Sequence, residues 1–411
     1  MQAQATGCDV LVIGAGPGGG SAALYASRHG LDVVIIEDHP EIGTPVHCGE
    51  CISDLAVRNL NLDLPDEVIS RLVDGIRVLF PDGTAKKLSE PGYVLEKHLF
   101  ERWLTNEAEA NGAALHLSHK LTTMKRIEVD GEFKAWHCEG KGEMFPFEAK
   151  VVIDASGVGG ICSKLLDLNP RPKVIAGMQY EILEVPADGY LDFYIWPHYA
   201  TKGYLWMIPK SDGRANIGLV TEDKKGAVSS LDQFIADGEF KDLEKINPPW
   251  RKEGIATRGF GGTIPISGPH EVTHYDGLML IGDAAGFTSP LFEGGSHLAL
   301  KSAYFAAQTA AEAIVAGDTS SEMLAAYPAR WKEEFPPYDK ILRGKTALYS
   351  LSDDEMSVMG RCFPDEMSAM GLSGKAMVGI RLLFRRPSLY FKRVIPAMLA
   401  FGYSRAKHYG W

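Results

Sequence analysis

Six cysteines in 411 residues are too few and too scattered for a secreted disulfide scaffold, so reduced thiols are expected. Only Cys48 and Cys51 stand close together. No run approaches the roughly 20 consecutive apolar residues that a membrane-spanning helix requires. Met1 to Asp9 has neither the basic region nor the apolar stretch of a secretory leader. These absences point to a chain in the cytoplasm, or lying on the cytoplasmic face of a membrane without crossing it. Repeats and low-complexity linkers are missing as well. Acidic residues stop at Glu366; beyond it stand Lys375, Arg381, Arg385, Arg386, Lys392, Arg393, Arg405 and Lys407, although the whole chain carries −11. The acidic body lacks the basic face that nucleic acid demands. The basic, apolar tail suits a peripheral contact with an anionic membrane surface.

The rest of the composition, 45% hydrophobic and 23% charged, is that of a globular protein, and the length suits two joined domains. Val10 to Ile13 reads as a buried strand, Ser21 to His29 as a helix and Leu31 to Glu37 as a second strand. Between the first strand and the helix lies Gly14-Ala15-Gly16-Pro17-Gly18-Gly19. Gly14 permits a tight turn, Gly16 lets backbone N–H groups approach a pyrophosphate, and Gly19 lets helix and strand pack closely, with Gly18 in the same turn. The helix N-terminus adds a dipole favourable to phosphate. Glu37, at the end of the second strand, is placed to accept from ribose hydroxyls and to repel a 2′-phosphate. The pattern implies a dinucleotide without choosing between NAD and FAD.

Further along, a loop spans Glu41 to Glu50, a helix Leu95 to Asn111, and strands Leu115 to Met124 and Val151 to Asp154. From Val174 to Val220 the apolar period becomes two, as in an antiparallel sheet. Leu278 to Ile281 reads as another parallel strand and Gly294 to Ala316 as a long helix. Thr319 to Trp411 is helical, with breaks at Pro336-Pro337, Pro364, Pro387 and Pro396. The expected fold class is α/β, α+β overall: a Rossmann-like βαβ domain of residues 1–170 and 255–318, an inserted antiparallel-sheet substrate domain of residues 171–254 that also takes part of 60–95, and a helical region of residues 319–411.

The segment Leu280-Ile281-Gly282-Asp283-Ala284-Ala285-Gly286, followed by Pro290, Gly294 and Gly295, resembles the ribityl-binding motif of the p-hydroxybenzoate hydroxylase superfamily. The resemblance implies FAD as cofactor, with Asp283 on the ribityl chain and the N–H groups of Gly295 and Ser296 aimed at the flavin pyrimidine. A helix N-terminus there would stabilise the negative charge of reduced flavin. Tyr93 to Leu104 looks like the same family's segment near the FAD phosphates, with Lys97 in the arginine's place and Arg102 as a second cation. By the same resemblance Leu121 lies beside the adenine. Tyr204-Leu205-Trp206-Met207-Ile208-Pro209-Lys210 and Pro45-Val46-His47-Cys48-Gly49-Glu50 resemble signatures of the geranylgeranyl reductase family, the second a loop beside the flavin. That likeness runs from Cys8 to about Ala316. It implies reduction of isolated double bonds in geranylgeranyl chains, of archaeal ether glycerophospholipids or of geranylgeranyl diphosphate and chlorophyll precursors.

Read from the residues, Tyr204 and Trp206 alternate on one strand and face the same way, offering with Pro209 an apolar surface for a polyprenyl chain. An aromatic core pair is the plainer alternative. Hydride transfer to an alkene also needs a proton, for which Tyr204, a water or the His47 to Glu50 loop, with Cys48, are candidates. Cys48-Gly49-Glu50-Cys51 admits a redox disulfide, or Cys48 simply packing against the flavin with Cys51 a small buried residue; zinc lacks ligands. No second strand–glycine–helix unit exists for NAD(P)H, since Gly157 to Gly160 and Gly259 to Gly262 lack the flanks. The electron donor is therefore a transient NAD(P)H or a ferredoxin-type protein. An aromatic monooxygenase or a flavin-containing lipid carrier would share every FAD motif.

Overall fold

The computed structural model describes residues 5–252, 254–368, 370–385, 393, 395–409 and 411. Arg386 and Lys392 of the basic tail, the break at Pro387 and Met1 to Gln4 lie outside them. The first apolar run forms the strand Thr6–Ile13, in which Val10, Leu11 and Val12 are fully buried. It pairs in parallel with Val33–Ile36 on one side and Phe147–Asp154 on the other, and Ala114–His116 and Leu278–Leu280 extend the parallel sheet outward. Continuous rather than alternating hydrophobicity is what a strand covered on both faces requires. The first strand is central, so strand ends and helix starts converge just beyond Ile13. The turn there is tight. Gly14 has φ +97°, and a Cβ on Gly19 would lie 1.8 Å from the Gly14 carbonyl oxygen.

Two helices rich in small residues meet over this turn. Gly18, in the helix Pro17–Arg28, packs beside Ala299 of the helix Ser296–Ala316, and Tyr25 meets Tyr304 edge to face at 5.2 Å. Both helix N-termini therefore point into one region.

The second sheet is built on Val174–Ile182, Ala215–Thr221, Tyr204–Pro209 and Tyr190–Tyr194, paired antiparallel in that order. Alternation divides its residues as the period predicts. Tyr204, Trp206 and Ile208 face the C-terminal helices and the cavity, whereas Leu205, Met207 and Leu219 face the helix Ala227–Asp237.

Three details depart from expectation. The segment Leu115 to Met124 is two strands, because Ser118 takes φ +57° and the N–H groups of Ser118 and His119 bond back to His39 and Glu37; the long strand Lys120–Val129 starts only after that turn. The second sheet does not end at residue 254: Phe260–Pro265 pairs along Val174–Ile182. Nor is it wholly antiparallel, since Tyr190–Tyr194 pairs in parallel with Gly75–Leu79, a strand from the 60–95 region.

The C-terminal helices Tyr338–Leu348, Asp353–Gly360, Leu372–Arg385 and Ile395–Tyr403 cover the aromatic face of the second sheet. In Leu372–Arg385, Val378 and Leu382 are buried, while Met377, Ile380, Leu383 and Phe384 remain exposed, Phe384 by 84%. No helix among the described residues is long and apolar enough to cross a membrane.

Because the Gly19 contact is backbone on backbone, Gly19→Ala is expected to cost about 3 kcal/mol of stability, read as a lower urea midpoint. An unchanged midpoint would contradict the packing described.

Candidate active site and cofactor pocket

The convergence of strand ends and helix starts opens a cavity of about 620 Å³ that continues to the aromatic face of the second sheet. At its first end, Gly14, Gly16 and Gly18 line the wall. A Cβ on Gly16 would meet nothing within 4 Å, and the helix that Gly16 caps has no side-chain cap and no acid in its first turn. Its N–H groups are left for an anion. Gly19 does not reach the cavity; it holds the turn from behind. Glu37 accepts from the Ala15 N–H at 2.8 Å through one oxygen and from the His39 N–H at 3.0 Å through the other. The His39 ring Nδ1 also lies 2.6 Å from that second oxygen, so the oxygen facing Ala15 is the one with a lone pair left for a ribose hydroxyl. Leu121 closes this end, nearly buried.

At the middle, Asp283 accepts from the Thr288 hydroxyl at 2.9 Å, and burial raises its carboxyl above the ordinary value. Gly295 caps the helix Ser296–Ala316 without a side-chain bond, and a Cβ there would stand 3.5 Å from the Asp283 carboxylate. Lys97 donates its ammonium to the Ser296 hydroxyl at 3.1 Å and lies within electrostatic reach of Asp283. Arg102 donates to the Ile42 carbonyl and does not line the cavity. The bare glycine turn, the acid at Glu37 and a second uncapped helix start form a cradle that fits FAD.

The far end is apolar. Tyr204 has ring neighbours Phe193 at 5.2 Å, Phe292 at 5.3 Å and Trp206 at 5.9 Å. Its hydroxyl donates to the Phe292 carbonyl at 2.7 Å, and burial holds the phenol well above its ordinary range. The Trp206 N–H donates to Gln179 at 3.0 Å, and the Gln179 amide donates in turn to the Cys48 carbonyl at 2.8 Å. Their polar edges are thus consumed inside the wall. Pro209 is buried behind it and does not line the cavity.

Cys48, Gly49 and Cys51 lie on the cavity wall they share with both halves of the site. The His47 Nδ1–H donates to the Gly261 carbonyl at 2.7 Å, which fixes its tautomer, and the Glu50 N–H donates to the Cys48 sulfur at 3.3 Å. Both thiols are free; burial pushes that of Cys51 up to about 12, which keeps it protonated and unreactive.

What holds this loop was not anticipated from the sequence. Glu50, 1% exposed and at φ +74°, accepts from the Lys210 ammonium at 2.9 Å, the Asn216 amide at 2.6 Å and the Lys97 N–H at 3.1 Å. Lys210, also 1% exposed, reaches Glu96 at 3.0 Å, and Arg214 joins Glu96 at 2.7 Å to Glu181 at 2.8 Å. Burial alone would raise the Glu96 carboxyl, but Lys210 and Arg214 hold it below its ordinary value. A signal was present, because Glu50 and Lys210 each end an otherwise apolar motif with a charge.

This geometry defines an FAD-dependent oxidoreductase with an apolar substrate compartment. Residues 9–164 match the model of the FAD dependent oxidoreductases, and residues 174–247 that of the geranylgeranyl reductase catalytic domain. The chain is 34% identical, over 94% of its length and 98% of the relative's, to a digeranylgeranylglycerophospholipid reductase of Methanocaldococcus jannaschii. A reductase of the same name from Methanosarcina acetivorans is 34% identical over 85% of this chain and 86% of its own. A geranylgeranyl bacteriochlorophyll reductase-like protein of Thermoplasma acidophilum superposes with a TM-score of 0.82 at 28% identity, covering 94% and 98% of the two chains. A flavin-dependent brominase, 18% identical at a TM-score of 0.70, shares the fold. The chain belongs to the geranylgeranyl reductase family and binds FAD.

Removing Lys210 would leave Glu50 and Glu96 buried without their shared cation, so Lys210→Met is expected to lose about 3–5 kcal/mol of stability by urea unfolding. The part that depends on the depressed Glu96 carboxyl is present above the ordinary carboxylate pKa and lost as pH falls through its lowered value. A loss below about 1 kcal/mol would mean the network is not the anchor.

Proposed function

We propose that the protein saturates isolated double bonds in the geranylgeranyl chains of archaeal-type ether glycerophospholipids. One observation carries this reading: the FAD cradle at Asp283 and an aromatic wall in which Tyr204 and Trp206 have their polar atoms bonded belong to a single cavity, with the Cys48 loop at their junction. A prenyl chain has almost no polar groups, and burying it yields about 0.8 kcal/mol per methylene without any hydrogen bond. A wall whose tyrosine and tryptophan are already satisfied asks for none. The names of the relatives support the same substrate class.

Reduced FAD supplies the hydride. The chain's own part is to bind the lipid against Tyr204 and Trp206, exclude water, and present N–H groups at Gly295 and Ser296 to the charge of the reduced cofactor. In this reading Cys48, which lines the cavity at the junction of its two ends, contacts the bound chain. Tyr204, expected as a proton donor, has its hydroxyl directed at the Phe292 carbonyl, and its role in this reading is to fix the wall. Electrons arrive from NAD(P)H or a ferredoxin-type protein that visits transiently.

The test is anaerobic incubation of dithionite-reduced protein with an unsaturated ether lipid, followed by mass spectrometry. The expected product gains one H2 per double bond; a hydroxylated product formed only with oxygen would contradict the reading. We further propose that the protein works as a peripheral protein on the cytoplasmic face of the membrane, through the exposed apolar side chains of Leu372–Arg385 and the basic groups beside them. Phe384→Glu with Ile380→Glu is expected to weaken binding to anionic liposomes about tenfold or more, judged by cosedimentation. Undiminished binding would rule this surface out.

A further inference from the structure

A buried carboxyl on the cavity wall has no part in the chemistry so far. Glu293 stands between Phe292 and the helix that begins at Ser296, at φ +50°, with its side chain only 2% exposed. Its Oε1 accepts from the Lys345 ammonium at 2.7 Å; its Oε2 is buried with no hydrogen-bond partner among the described residues. It lines the same cavity as Cys48, Tyr204 and Trp206. Three side chains from two elements, the strand Tyr204–Pro209 and the helix Tyr338–Leu348 with its C-cap, pin this turn: the Tyr204 hydroxyl donates to the Phe292 carbonyl at 2.7 Å, the Tyr349 hydroxyl to the Leu291 carbonyl at 3.0 Å, and Lys345 to Glu293 itself. A non-glycine residue at positive φ and a half-satisfied buried carboxyl both cost free energy. The fold nonetheless places them together, next to the surface offered to the alkene.

We propose that Glu293 is the proton donor of the reduction, delivering the proton held on Oε2 to the alkene carbon that does not receive the hydride. This rests on the reductase reading above. The hydride brings its own electron pair and forms one C–H bond. The π pair of the alkene forms the second with the Glu293 proton, leaving a carboxylate opposite Lys345 that is reprotonated from water. Burial pushes the Glu293 carboxyl up to about 7, against the downward pull of Lys345. Tyr204 and Tyr349, which also lie within its electrostatic reach among the described residues, are kept protonated by burial. A donor of this kind loses its proton as pH rises through neutrality.

Glu293→Gln keeps the shape and removes the acid. In full-length, FAD-loaded, dithionite-reduced protein, anaerobic reduction of an unsaturated ether lipid is expected to slow about 10²-fold or more, with FAD content and flavin reduction by dithionite unchanged. The wild-type rate should fall as pH rises through about 7. Lys345→Met, which removes the cation that lowers the carboxyl, should move that fall to higher pH, a displacement that a merely structural role would not produce. Glu293→Gln within about twofold of wild type, or a pH limb unmoved by Lys345→Met, would overturn the assignment. So would loss of the limb in Cys48→Ala with the limb intact in Glu293→Gln. A wild-type protein that reduces no lipid at all would instead remove the reductase reading beneath it.

Discussion

The site depends on the buried contact between Glu50 and Lys210. Desolvating each charge costs several kcal/mol, and the cost is recovered only when every partner is in place. Glu50 has three hydrogen-bond donors, and Lys210 has a second carboxylate in Glu96. Apolar contacts tolerate sliding; a fully satisfied ion pair does not. The loop from the FAD side is therefore fixed in register on the strand end of the other sheet. Cys48 falls two residues before Glu50 on that loop, and Trp206 four before Lys210 on that strand. The Gln179 bridge from Trp206 to the Cys48 carbonyl ties the same two pieces a second time.

From that fixed junction the two ends of the cavity take opposite characters. The cofactor end keeps unpaired N–H groups at two helix starts and carboxylates at Glu37 and Asp283. At the substrate end the polar atoms of Tyr204 and Trp206 are used up inside the wall, so that the surface offered to a ligand is carbon. Glu293 adds a carboxyl to that surface, with one buried oxygen that has no partner among the described residues. A buried acid with one unpaired oxygen on the wall of a reaction cavity is a place to look for proton transfer.

How much of this was legible in the sequence follows from the range of each interaction. The Gly14 to Gly19 turn and Glu37 are local, so spacing alone announced them, and they fell where the spacing put them. Tyr204 and Trp206 face one way because strands alternate, which is again local. The Asp283 motif carried the choice of FAD through resemblance. What the sequence withheld was contact between distant segments: Glu50 with Lys210 across 160 residues, Tyr204 with the Phe292 carbonyl across 88, and Glu293 with Lys345 across 52. The break inside Leu115 to Met124 was missed for a related reason, since the turn at Ser118 is stabilised by bonds to Glu37 and His39. Pro209 read as a substrate contact because it shares a motif with Trp206, yet it serves the strand end that carries Lys210.

The claim that FAD and an isolated alkene share one cavity is tested most directly by anaerobic stopped-flow absorbance of the reduced flavin after mixing with a digeranylgeranyl ether lipid. The account predicts that the flavin is reoxidised by the lipid without oxygen, at a rate no slower than turnover. Flavin that stays reduced until oxygen is admitted would contradict it.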